Sequence, residues 1–141
     1  MKIYIASDHA GVGLKQKLIT SFPQYNFVNL GTDTNDSVDY PDYAQELCTR
    51  LLEDTASKGI LICGSGIGMS IAANRFKGIN AALVMNSEMA SLSRKHNNSN
   101  ILVLAAKFTP VDEAIGITKT WFDTEFEAGR HQSRVEKIDK C

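Results

Sequence analysis

Ile60-Leu61-Ile62-Cys63-Gly64-Ser65-Gly66-Ile67-Gly68-Met69-Ser70-Ile71-Ala72-Ala73-Asn74 is the stretch that decides how this chain folds. Ile60 to Cys63 is apolar throughout, the pattern of a strand covered on both faces. Glycines at 64, 66 and 68 then make a turn whose backbone can approach a ligand closely and aim several N–H groups at it. Helical sequence follows from about Gly68 to Phe76 and adds the positive end of a helix dipole at the same spot. Cys63, the last strand residue, stands beside this anion cradle, where a thiol can act as a base. That pairing suits chemistry that passes through an oxyanion.

Strand and helix alternate outward from this stretch. Lys2 to Ser7 is a β-rich run, Ala10 to Phe22 has helical spacing through Leu14, Leu18 and Phe22, and Asn26 to Leu30 is a second strand. Gly31 to Pro41 is a polar surface loop, and Tyr43 to Thr55 is a helix with Ala44, Leu47, Leu51 and Leu52 facing inward. Downstream come a strand at Asn80 to Val84, a helix at Asn86 to His96 and a fifth strand at Asn100 to Leu104. A long helix from Pro110 to Phe126 and a charged terminal helix from Gly129 to Lys140 complete the chain. This order predicts an α/β fold, a three-layer Rossmann-like sandwich with a five-stranded parallel sheet and a C-terminal helix. Ligands of such sheets bind beyond the carboxyl ends of the strands, where Asp8-His9 and Cys63-Gly64 both fall.

With 141 residues and no repeat, low-complexity tract or linker, a single domain spanning 1–141 is expected. Fifteen basic residues against sixteen acidic ones leave a net charge of -1, so nothing draws the chain generally to nucleic acid or an anionic membrane. Any anion site must be local. Cys48, Cys63 and Cys141 are an odd number without ligand-like spacing, which points to a reducing compartment. The apolar start is interrupted at Asp8 and His9, too early for a signal sequence, and no run is long enough to cross a bilayer. A cytoplasmic location is the expectation.

Each candidate site residue has a plainer alternative. Gly64, Gly66 and Gly68 match neither the dinucleotide fingerprint, whose third glycine comes one residue later, nor a P-loop, which needs a following Gly-Lys-Ser/Thr. A phosphatase loop is disfavoured too, because Met69 stands where its arginine belongs. Cys63 could be a small core residue, yet it ends its strand at a helix start and has the Ser65 hydroxyl two residues away. Asp8 could cap a helix, or accept from a sugar hydroxyl while His9 donates to an anion. His96 could simply complement a helix C-terminus, or serve as the acid–base group for which imidazole is suited. Arg130 and Arg134 share one helix face one turn apart with His131 beside them, which is either a solvated basic face or a phosphate clamp. Cys48 and Cys141 have no such setting and read as bystanders.

Taken together these segments resemble the type B ribose-5-phosphate isomerases, in the family that also holds the galactose-6-phosphate isomerase subunits. The likeness runs through Asp8-His9-Ala10-Gly11, Asp39-Tyr40-Pro41, Cys63-Gly64-Ser65-Gly66-Ile67-Gly68, Ser70-Ile71-Ala72-Ala73-Asn74, Arg94-Lys95-His96-Asn97 and Gly129-Arg130-His131-Gln132-Ser133-Arg134-Val135, covering nearly the whole chain. The resemblance implies that His9, Arg130 and Arg134, with His131 nearby, hold a sugar phosphate. It implies that His96 opens the furanose ring, while Asp8, Tyr40 and Asn97 contact its hydroxyls. Cys63 would then shuttle a proton between C2 and C1 through an enediolate held by Ser65 and the backbone of Gly64, Gly66, Ile67, Gly68 and Met69. It implies no metal or cofactor, and a site formed between the subunits of a homodimer, with the pairing of dimers into tetramers left open.

One branch of the family replaces the cysteine and carries a glutamate base where Met69 stands, which places this chain in the cysteine-dependent branch. Galactose-6-phosphate isomerase subunits tend to lack both His96-Asn97 and the Arg130-His131-x-x-Arg134 pattern, so a five-carbon substrate is favoured. The rival readings are an allose-6-phosphate or galactose-6-phosphate isomerase, and a sugar-phosphate sensor that does not turn over. The resemblance implies that Lys107 stands at a phosphate-binding position that is normally arginine, keeping the charge but losing the bidentate fork. A Lys107→Arg variant is therefore expected to lower the Michaelis constant for a sugar phosphate. An unchanged constant in steady-state kinetics would remove Lys107 from the phosphate site.

Overall fold

The computed structural model describes residues 1–141 as five strands and six α-helices in an α/β arrangement. The strands are β1 (Lys2–Ser7), β2 (Asn26–Asn29), β3 (Lys58–Cys63), β4 (Ala81–Leu83) and β5 (Ile101–Ala105). They form one parallel sheet in the order β2-β1-β3-β5-β4. Between them run α1 (Val12–Ser21), α2 (Tyr40–Glu53), α3 (Ile67–Ala73) and α4 (Ser87–Lys95), with α5 (Val111–Asp123) and α6 (Arg130–Ile138) after β5. No helix is long and apolar enough to cross a membrane.

Alternation along the central strands builds two separate cores. Ile3, Ile5, Ile60, Ile62, Leu102 and Leu104 face one side and pack on α1 and α5 through Leu14, Leu18, Phe22, Ile117 and Trp121. Tyr4, Ala6, Leu61, Cys63 and Val103 face the other and pack on α2 and α3 through Leu47, Cys48, Leu51, Met69 and Ala73. The chain moves outward from β1 to β2, then crosses back to β3, so the winding direction reverses between β1 and β3. A crevice opens at such a reversal, beyond the carboxyl ends of the two strands. Asp8 follows one of them and Cys63 ends the other.

Several boundaries differ from the sequence reading, each for a physical reason. In α2 the inward stripe is Ala44, Leu47, Cys48 and Leu51, and Leu52 is turned out to 39% exposure. That helix begins at Tyr40, because Pro41 is well placed in a first turn. α5 stops at Asp123 rather than Phe126, since the Arg94 guanidinium takes the Thr124 carbonyl at 3.0 Å and the Lys95 carbonyl accepts the Glu127 N–H at 3.1 Å. α3 ends at Ala73, with Asn74 turning away to bond both the N–H and the carbonyl of Ala81.

Lys15 is a feature that periodicity alone did not foretell. Its side chain is wholly buried, and its ammonium donates to Asn29 Oδ1 at 2.8 Å, Asp33 Oδ1 at 2.8 Å and the Thr32 carbonyl. Three acceptors satisfy three donors, which makes burial of the charge tolerable. They also fasten the segment after β2 to the end of β1, where Ser7 exchanges backbone bonds with Gly31 and Thr32. The bond from Lys15, and next that from Asn29, holds the Asp33 carboxyl below its ordinary 3.8. The unfolded chain therefore binds the proton first as pH falls. The stabilisation is complete above 3.8 and fades as pH drops through the lower folded value. Lys15→Met keeps the volume but strands these acceptors. It is expected to cost about 2–4 kcal/mol in urea unfolding and to return Asp33 toward its ordinary titration, read by carboxyl NMR shifts.

Candidate active site

The glycine turn after β3 is made by two geometrical requirements. Gly66 adopts φ +74°, which L side chains rarely do, and a Cβ there would run into Leu83 and come within 3.3 Å of the Leu104 carbonyl. Gly68 lies flat under the Tyr40 ring, where a Cβ would be 2.5 Å from Tyr40 Cε1. Tyr40 thus roofs the turn from the start of α2. Lys107 lies over Gly64 with its methylenes, and its N–H donates to the Gly64 carbonyl at 2.9 Å. Within the turn, the Ser65 hydroxyl accepts the Ile67 N–H at 3.2 Å. Cys63 is 5% exposed at the floor, on the same face as Met69.

Asp8 and His9 complete this edge. The Asp8 carboxylate caps the short turn ahead of α1 by accepting the Ala10 N–H at 2.9 Å, so the capping reading of Asp8 is realised. His9 Nδ1 accepts the Val38 N–H at 3.3 Å. In a neutral imidazole the proton then sits on Nε2, which is free to donate. Cys48 stays a bystander: burial pushes its thiol up to about 12, and its Sγ lies 3.9 Å from the Ala73 carbonyl.

His96, Asn97, Arg130, His131 and Arg134 gather elsewhere. α4 runs back from the carboxyl edge, so His96 lies by the amino edge, where β5 begins at Ile101. The rise of β5 from Ile101 to Ala105 puts about 13 Å of sheet between this edge and that of Cys63. His131 stacks on His96 with ring centroids 4.2 Å apart and planes 16° from parallel. A cavity of about 380 Å³ opens beside them, lined by His96, Asn97, His131, Arg134, Val135 and Ile138. Burial first, then the charges of His96, Arg130 and Arg134, hold the His131 imidazole below its ordinary 6.5, partly offset by Glu127.

The predicted residues therefore fall into two groups on one chain. Asp8, His9, Tyr40, Cys63, the turn at Gly64, Ser65, Gly66, Ile67 and Gly68, and Lys107 occupy the carboxyl edge. His96, Asn97, Arg130, His131 and Arg134 occupy the amino edge. Two neighbours of the amino-edge group, neither of them lining its cavity, escaped the sequence reading. Buried Arg94 grips the turn that follows His96, donating to Asn98 Oδ1 at 3.1 Å and to the Ser99 carbonyl. Glu127 brings a carboxylate beside the stacked imidazoles, with one ligand atom from each of His96, Glu127 and His131 lying within 4.8 Å of the others. An arginine-lysine-histidine run reads equally well as a solvated helix end, and only folding shows Arg94 turned inward.

Residues 3–138 match the family model described as Ribose/Galactose Isomerase. The chain is 45% identical to a probable ribose-5-phosphate isomerase B of Mycoplasma pneumoniae, over 96% of this chain and 91% of that one. Among solved structures it superposes on ribose 5-phosphate isomerase from Thermotoga maritima with a TM-score of 0.97 and 46% identity, covering 99% and 98% of the two chains. Ribose-5-phosphate isomerase B from Mycoplasma genitalium, solved with bound ribulose-5-phosphate, is similar at a TM-score of 0.94 and 40% identity, over 99% and 94%. Sequence and fold agree over nearly the full length, and this chain belongs to the ribose/galactose isomerase family.

Proposed function

We propose that this chain interconverts ribose 5-phosphate and ribulose 5-phosphate, as a cytoplasmic aldose–ketose isomerase of one domain, 1–141, in the non-oxidative pentose phosphate pathway. The observation that carries this reading is Cys63 at the winding reversal between β1 and β3, at the floor of a turn that tolerates only glycine at 66. Relatives named ribose-5-phosphate isomerase B, one of them solved with ribulose-5-phosphate, support the choice of substrate.

Arg130 and Arg134, with His131 and Lys107 near, hold the phosphate dianion, and His9 adds its Nε2 donor. His96 opens the furanose by moving a proton from the anomeric hydroxyl to the ring oxygen, while Asp8, Tyr40 and Asn97 orient the other hydroxyls. Cys63 then takes the C2 proton of the open-chain aldose and returns it to C1, while the proton on the C2 hydroxyl passes to O1, so that the C2 carbonyl and the C1 hydroxyl of the ketose form together. Ser65 and the N–H groups from Gly64 to Met69 stabilise the enediolate formed between the two transfers. The residues named here meet both needs of the reaction, proton transfer and oxyanion stabilisation.

A single chain keeps His96 an edge of the sheet away from Cys63, so the working unit is a homodimer in which each site takes one half from each subunit. Two further features support it. α6 lies at the surface of the sandwich with only His131 buried. Ile67 and Ile71, on the helix that carries the glycine turn, are 55% and 53% exposed.

Purified, metal-free protein is expected to convert ribose 5-phosphate, and Cys63→Ala to lower kcat by about 10²–10⁴-fold without loss of circular dichroism. Full turnover in that variant would assign the base elsewhere, and turnover of a six-carbon phosphate alone would change the substrate. Mixing inactive Cys63→Ala and His96→Ala proteins under subunit exchange is expected to recover about a quarter of wild-type activity, because half the dimers then hold one intact site. No recovery despite exchange, measured by native mass spectrometry, would place both residues in a site within one subunit.

A further inference from the structure

We propose that His96, Glu127 and His131 form a binding site for a divalent transition-metal ion of the zinc class, and that its occupancy inhibits the chain by capturing the imidazole that opens the sugar ring. Two imidazoles and one carboxylate are a donor set that such ions favour. One ligand atom from each side chain already lies within 4.8 Å of the other two. Nitrogen and oxygen ligands about 2.0–2.2 Å from a tetrahedral zinc stand roughly 3.3 Å apart, so closure takes a contraction of about 1.5 Å.

The backbone brings these three together from distant elements. Ala128 and Gly129 take left-handed conformations in succession, at φ 58° and 50°, and turn the chain back just ahead of α6. Glu127 and His131 come to the same side of this reversal, with the His131 N–H donating to the Ala128 carbonyl at 2.8 Å. The Glu127 N–H is fastened to the Lys95 carbonyl at 3.1 Å, which sets Glu127 beside the residue that follows, His96. His131 is buried and supplies a fixed ligand, whereas His96 is half-buried and Glu127 exposed, so both can swing. Imidazole lone pairs lie in the ring plane, and two rings stacked 4.2 Å apart and 16° from parallel cannot both direct theirs at one ion, so closure on a metal rotates the His96 ring out of its stack. A metal held there uses the His96 lone pair needed for acid–base transfer, while Cys63 and its glycine turn are left untouched.

The inhibitory consequence rests on the role read for His96, whereas the binding site does not. Calorimetry with Zn²⁺ alone is expected to show a single site per chain, and Glu127→Gln to weaken it by about 10–100-fold. Because Glu127 stands outside the catalytic machinery, metal-free Glu127→Gln is expected to keep wild-type activity while its zinc inhibition shifts in parallel with the binding. Co²⁺ bound in place of zinc is expected to give visible d–d bands without a thiolate charge-transfer band, in wild type and in Cys63→Ala alike. Unchanged Zn²⁺ affinity in Glu127→Gln, or loss of Co²⁺ binding in Cys63→Ala, would overturn the site. Tight binding with intact turnover of ribose 5-phosphate would overturn the inhibition alone. A protein that binds Zn²⁺ through Glu127 but never isomerises the sugar would uphold the site and refute the enzymatic reading.

Discussion

Gly66 carries a φ of +74° against the Leu104 carbonyl, and Cys63, Tyr40 and Lys107 at the carboxyl edge are arranged around that turn. A left-handed residue there ends β3 at Cys63 and sends the chain back over the sheet as α3, whose Met69 and Ala73 seal the core beneath. Because the turn has no side chain at 66, it can lie against the end of β5, and because it has none at 68, the Tyr40 ring can close over it. Any other residue at 66 would cost about 1–2 kcal/mol in backbone strain alone, before the collision with Leu83. Foldability and chemistry impose the same requirement on this turn.

The group at the amino edge depends on a buried cation. Arg94 ties the end of α4 to Asn98, Ser99 and Thr124, and Trp121 packs under this knot with its indole N–H donated to Ser99 Oγ at 2.8 Å. Burial draws the guanidinium below its ordinary value, with Glu125 offsetting part of the effect. Lys15 plays a similar part at the other edge, where it secures the segment after β2. In both places a buried charge that makes three hydrogen bonds fixes an irregular segment that no periodic pattern could hold.

The separation of the two groups of candidate residues follows from the winding of the chain. A parallel sheet with helical crossovers puts each helix C-terminus at the edge opposite the strand ends. His96, placed after a crossover helix, therefore lies at the edge opposite Cys63. The fold thus presents a thiol beside a glycine turn at one edge of the sheet, and stacked imidazoles with two arginines on the neighbouring helix at the other.

What the sequence determined by itself was local and periodic. Strand order along the chain, the β3–glycine–helix join, the candidate Cys63, and the one-turn spacing of Arg130 and Arg134 were all legible, because each follows from side-chain periodicity or from residues a few positions apart. What only the tertiary structure decided was long-range. It turned Lys15 and Arg94 inward, ended α5 at Asp123, stacked His131 on His96 with Glu127 beside them, and divided the candidate residues between two edges of the sheet. Each of these outcomes depends on hydrogen bonds or packing between residues distant in sequence. A pattern read along the chain contains no trace of such contacts, since the partner that makes a lysine or arginine worth burying appears only once the chain has folded.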